Sequence, residues 1–138
     1  MKHTLLIITA LMLMLGCSSE PIDVDKLVER GGLLYEVNSD KPFSGEVVLY
    51  HANGQKETEG TLKDGELDGL WTGWYENGQK GLEGTHKNGE RDGLWTGWYE
   101  NGQKSGEATF KDGELISEKC WDQDGDECEC SEWGPGCD

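Results

Sequence analysis

Leu70–Lys80 reads LWTGWYENGQK, and Leu94–Lys104 repeats the same eleven letters. Looser copies flank them. The Asn-Gly pairs at 53, 77 and 101 fix a period of 24 residues, and Asp64-Gly65, Asn88-Gly89 and Asp112-Gly113 keep the same step. A fixed period of this size marks an array of one supersecondary unit stacked on copies of itself. Function in such a chain is expected on a repeated surface rather than in a single catalytic pocket.

Asn-Gly and Asp-Gly between strand formers are strong hairpin signals, because both central residues of a type I′ turn need positive φ. They recur at 53, 64, 77, 88, 101, 112 and 124, at intervals of 11, 13, 11, 13, 11 and 12. What lies between them is of strand length, and no stretch after Ser39 shows helical periodicity. The longer strands carry an extra Asp-Gly, Asp68-Gly69 and Asp92-Gly93, where a bulge would absorb the two additional residues. Lys26–Arg30 and Leu33–Val37 flank Gly31-Gly32 as an opening hairpin. The expected fold is all-β: a single antiparallel up-and-down meander of repeated hairpins, with nine or ten strands.

Counting outward from two-residue turns pairs Tyr75 with Lys80, Trp74 with Gly81, Gly73 with Leu82 and Trp71 with Gly84. One face then gathers Trp71, Tyr75, Leu82, His86, Trp95, Tyr99, Ala108 and Phe110 over glycines, and is the expected core. The other gathers Thr72, Glu76, Glu83, Thr85, Thr96, Glu100, Glu107 and Thr109. An aromatic column, Tyr50, Trp74, Trp98 and Trp121, crosses it at about 10 Å spacing. Flat rings among carboxylates suit cationic groups or sugars, so this column is the candidate binding face. The competing reading is that both faces are half-buried, or that the bulges exchange them. Lysines at 56, 80, 104 and at 63, 87, 111 are expected to pair with neighbouring acids.

The first sixteen residues read as a secretory signal. Lys2 gives the positive end and Leu5–Leu15 an apolar run too short to span a bilayer. Leu13-Met14-Leu15-Gly16-Cys17 resembles the lipobox of bacterial lipoproteins, with Met14 where leucine is usual. The resemblance implies that Cys17 becomes a diacylated N-terminus, anchoring the chain in the cell envelope. Ser18 and Ser19, where a retention aspartate would stand, favour the outer membrane over the inner. The organisation expected is a signal over 1–16, a lipidated tether over 17–25, the repeat array over 26–118 and a cysteine-rich cap over 119–138. After Cys17 the chain holds all 28 acids against 11 basic residues, a formal charge of −17. That charge argues against nucleic acid and against a polybasic membrane mode, leaving the acyl chains as the membrane contact.

The unit W-Y-x-N-G-Q-K-x₄-G-x-x-[KN]-[DN]-G-x-x-D-G resembles the variant MORN repeat, as found in YwqK-family antitoxins. The likeness covers Phe43–Leu115 and extends in degraded form to residues 26 and 126. It implies a scaffold or docking module, and an antitoxin or immunity-type role only by family naming.

Cys120, Cys128, Cys130 and Cys137 close the chain, and an even count at this density in an exported protein implies two disulfides. A three-residue loop at Asp124-Gly125 would set Cys120 opposite Cys128 and leave Cys130 to join Cys137; a two-residue turn would not. A Cys₄ zinc site is the rival, against which the intervals lack C-x₂₋₄-C pairs. Asp122–Asp126 imitates an EF-hand opening, but Glu127 and Trp133 stand where glycine and a bidentate acid belong. No metal or cofactor is expected.

An enzyme needs a nucleophile with its base, a metal triad or a phosphate cradle. His51 and His86 sit where other copies hold Tyr or Phe, and no carboxylate stands apart from its repeat partners. The expectation is therefore a non-catalytic, lipid-anchored interaction or scaffold protein with a protein partner. The alternatives are a toxin-neutralising partner or a glycan-binding surface lipoprotein.

Overall fold

The computed structural model describes residues 20–131 and 134–137. Among the described residues fourteen strands form: β1 (Ile22–Asp23), β2 (Leu27–Arg30), β3 (Leu33–Glu36), β4 (Gly45–Tyr50), β5 (Lys56–Lys63), β6 (Glu66–Leu67), β7 (Gly69–Trp74), β8 (Lys80–Lys87), β9 (Glu90–Trp98), β10 (Lys104–Lys111), β11 (Glu114–Trp121), β12 (Glu127–Cys128), β13 (Cys130–Ser131) and β14 (Gly134–Cys137). One sheet runs β1-β4-β5-β7-β8-β9-β10-β11-β12, with β6 also on β5. From β4 to β12 it is the expected antiparallel meander. At its start β1 lies parallel to β4, Ile22 against Val47, so the last part of the expected tether is sheet edge. The opening hairpin forms as β2–β3, but as a separate two-stranded sheet.

Two turn types alternate along the array. Asp64, Asn88 and Asp112 have φ of 50°, 50° and 48°, each followed by a positive-φ glycine, so these are the two-residue type I′ turns expected. The Asn-Gly pairs at 53, 77 and 101 are different. Tyr75 N–H donates to Gln79 O and Gly78 N–H to Tyr75 O, both at 2.9 Å, which closes a three-residue loop with only the glycine left-handed. The asparagine is held by its side chain. Asn77 Oδ1 accepts from Gln79 N–H at 2.9 Å, and its Nδ2 donates to Glu100 O one repeat on at 3.0 Å.

This corrects the pairing near these loops. Trp74 faces Lys80, and Gly81 is an extra, bulged residue. The bulge offsets the longer loop, so the pairs further out, Gly73 with Leu82 and Trp71 with Gly84, stand as expected. At the other end the Asp-Gly bulges behave as anticipated. Thr85 pairs with Asp92 but Glu83 with Thr96, so β9 absorbs two residues; on β11, Phe110 pairs with Leu115 but Thr109 with Ser117, absorbing one. The intervals of 13 and 12 in the sequence are these two cases.

The core face is the ring-bearing one. Trp71 lies over Gly60 and Trp95 over Gly84, so closely that a Cβ built on either glycine would fall 2.1 and 2.0 Å from ring carbons. His86 stands edge-on between Trp71 and Trp95, at centroid distances of 6.2 and 4.8 Å, and Trp95 meets Phe110 at 6.5 Å. The most buried cluster, Leu27, Val47 and Leu62, lies where Leu34, Phe43 and Trp71 pack over the start of the sheet. At the other end β13–β14 closes on the sheet, and Cys137 N–H reaches Tyr99 Oη at 3.4 Å.

The four tail cysteines form two disulfides, joined differently from the preferred pairing. The three-residue loop at Asp124-Gly125 does set Cys120 opposite Cys128, and Cys130 opposite Cys137. The bonds nevertheless run Cys120–Cys130 and Cys128–Cys137, with Cα separations of 5.2 and 5.8 Å. Cys120 is buried, and β11, which carries it, touches β13 and β14 as well as β12. The bridges therefore tie the two small ladders to each other rather than rung to rung.

Candidate functional site: a trough across the strands

Cross-strand register arranges the polar face in rows perpendicular to the strands. The first row is Tyr50–Lys56, Trp74–Lys80 and Trp98–Lys104, each pair directly opposed, followed by Trp121. The second is continuous: Val48, Glu59, Thr72, Glu83, Thr96, Glu107, Lys119. The third holds Glu46–Thr61, Leu70–Thr85 and Leu94–Thr109–Ser117. The threonines of the middle row, set between its glutamates and flanked by tryptophan on one side and leucine on the other, leave a trough. Over Thr72 it encloses about 330 Å³, lined by Trp74 and Lys80 on one wall, Glu46, Thr61 and Leu70 on the other, and Glu59 and Glu83 at the floor. Thr72 itself is 7 % exposed, whereas Leu70 and Leu94 are 58 % and 55 % exposed.

The aromatic column is thus on the face expected, but it is not a bare platform. Trp74, Trp98 and Trp121 are half-buried, and Tyr50 is 47 % exposed. Each tryptophan has a lysine of the preceding repeat over its ring: Lys56 Nζ lies 5.9 Å from the Trp74 centroid, Lys80 5.5 Å from Trp98 and Lys104 5.6 Å from Trp121. Each lysine also bonds the glutamate three residues on, Glu59, Glu83 and Glu107. The hydrogen bond to Glu59 holds the Lys56 ammonium above its ordinary pKa. The second lysine set is looser, with Lys111 only 3.9 Å from Asp112.

The column is positioned from behind. Tyr75 Oη donates to Trp98 O at 2.7 Å and Tyr99 Oη to Trp121 O at 2.9 Å, while His51 Nε2 lies 2.8 Å from Trp74 O. Burial, then the nearby Glu100 carboxylate, raises the Tyr75 phenol above its usual pKa. His51 is thus a stand-in for tyrosine, in keeping with its place in the repeat. Sequence reasoning missed Leu70, Leu94 and the lysine caps as parts of this site. Their 24-residue spacing was visible, but the wall they form depends on the bulges.

Cys17 lies outside the described residues. Among the described residues, no group of three or more His, Cys, Asp or Glu side chains is arranged to hold a metal ion. In the EF-hand-like stretch, Asp122 Oδ1 accepts the N–H groups of Asp124 and Asp126, both at 2.9 Å, as a turn residue does.

The geometry gives one hairpin pair and one Lys–Glu–Trp cluster per 24 residues. The family model of the MORN repeat variant matches at residues 43–64, 67–88 and 91–112. Residues 43–112 are three variant MORN repeats. Each MORN unit here starts on the strand that carries the column aromatic, or just before it, and ends at a type I′ turn. MORN repeats are generally associated with modules that contact proteins or membranes. No curated protein and no solved structure matches the chain.

Proposed function

We propose that this is a non-catalytic interaction module, held at the bacterial envelope by acylated Cys17, whose MORN trough docks a protein partner. The observation that carries it is the repetition of the residues that line the trough: Thr72, Trp74 and Leu70 recur as Thr96, Trp98 and Leu94, with the same lysine and glutamate beside each. Repetition of the lysine, glutamate and threonine positions is what a long docking surface needs, and none of these repeated side chains is singled out for proton transfer or attack. The anchor reading rests on the lipobox-like stretch before Cys17.

Photo-crosslinking in the native host tests the module. A crosslinking residue at 70 or 94 should give the same discrete adduct, and one at Val28, on the opening hairpin, should not. Equal labelling from all three positions, or none from 70 and 94, would remove the docking assignment. Cys17→Ala should abolish palmitate incorporation and release the chain from the membrane fraction; continued lipid labelling would overturn the anchor.

A further inference from the structure

The spacing of the trough narrows the chemistry of its occupant, given the docking role proposed above. Equivalent side chains on alternate strands of the sheet stand about 9.6 Å apart. A polyproline II helix advances about 3.1 Å per residue with three residues per turn, so it returns to the same face every 9.3 Å or so. An α-helix matched at seven residues advances about 10.5 Å, and drifts off the ladder by about an ångström per unit. A chain laid across the strands in the left-handed extended form would therefore meet Tyr50, Trp74, Trp98 and Trp121 with every third side chain.

The rings already show what they accept. Lys56, Lys80 and Lys104 sit over Trp74, Trp98 and Trp121 as cations on aromatic faces. Those lysines, and Lys119, which also lies over Trp121, are each held by a glutamate, so an incoming base meets no unpaired cation among them. It meets acids at both rims: Glu46 beside Leu70, and the exposed loop residues Glu76 and Glu100 next to the tryptophan wall. The whole chain carries a formal charge of −16. Prolines would pack between the Trp wall and the exposed leucines, as polyproline segments do in aromatic grooves.

We propose that the trough binds an extended, proline-rich polypeptide segment with a basic residue at every third position. From β4 to β11 it crosses seven strands, about 29 Å, room for about nine residues in this conformation.

The test uses the full chain and two twelve-residue peptides of identical composition, eight prolines and four arginines. One has arginine at every third place and the other has the four arginines together. Titration calorimetry at fixed ionic strength should show the periodic peptide binding about tenfold more tightly. The advantage should vanish in Trp74→Ala/Trp98→Ala. It should also fall in Leu70→Ser/Leu94→Ser, whose exposed positions leave the fold unchanged by circular dichroism. Equal affinities for the two peptides, or an advantage that survives both double variants, would overturn the proposal. So would tighter binding of an α-helical peptide with arginine every seventh residue. If the crosslinking at 70 and 94 succeeds while neither peptide binds, the docking role stands and this account of its ligand fails; if the crosslinking fails, the docking role falls first.

Discussion

Glycine at positions 60 and 84 is required by what lies on top of it. With ring carbons of Trp71 and Trp95 about 2 Å from the place of a Cβ, Gly84→Ala forces Trp95, itself only 4 % exposed, out of its site. Overpacking of this kind costs about 1–3 kcal/mol. The third copy agrees: Ala108 stands one period beyond Gly84, and the residue paired with it on β11, in the place of Trp95, is Glu118, so the methyl appears where the ring is gone. Denaturant unfolding should show Gly84→Ala losing that amount, with Ala108→Gly losing less; equal losses would refute the stacking argument. His86 gives a second residue-scale test. Burial, then the positive Arg91 beside it, lowers its pKa below the usual value near 6.5. The unfolded chain therefore takes up a proton before the folded one does. Stability from this group is complete above about pH 6.5 and is lost as pH falls from there toward the folded pKa. His86→Phe copies Phe110, the same place one repeat on, and should flatten that part of the profile. An unchanged slope of unfolding free energy with pH would show that His86 is not its source.

At the scale of the element, the seven Gly-bearing reversals look alike in the sequence and are not. Asn88 occupies positive φ, so its value lies in tolerating that conformation, and Asn88→Gly should be neutral within about 0.5 kcal/mol. Asn77 has ordinary φ and two side-chain hydrogen bonds, one of them to the next repeat, so Asn77→Gly should cost about 1–2 kcal/mol. Thermal unfolding of the two variants side by side separates the turn types; matching losses would contradict the assignment. The same comparison explains what could be read in advance. Strand lengths, the bulges at Asp68-Gly69 and Asp92-Gly93 and the core face follow from turn spacing and period-two alternation. The three-residue loop does not, because Asn-Gly suits either turn, and what decides between them is a hydrogen bond from Asn77 to a carbonyl 23 residues away. The aromatic column was visible for its period, whereas its lysine caps needed the shifted pairing of Trp74 with Lys80.

For the whole molecule, the question is how an array with identical interior units ends. A repeat sheet contacts only its neighbours, so its stability is a sum of unit and interface contributions, and an uncovered end frays first. Here the start is closed by β1 and by the β2–β3 hairpin packed over Leu62 and Trp71. Among the described residues the far end has no comparable apolar cover. On β11, Leu115 and Ile116 are 50 % and 62 % exposed, and β12 pairs with only Cys120 and Trp121. Covalent bonds stand in for packing: Cys120–Cys130 and Cys128–Cys137 span 10 and 9 residues and hold β13–β14 against the sheet. Loop-closure entropy for loops this short gives about 2.5–3 kcal/mol per bridge. Reduction should therefore lower stability unevenly. Amide exchange should accelerate first in β10 and β11, while β4 and β5 keep their protection, and the melting transition should broaden as the C-terminal repeat uncouples. A uniform loss of protection from β4 to β11 on reduction would show instead that the sheet opens as one unit, and that the cap acts on the whole array rather than on its end.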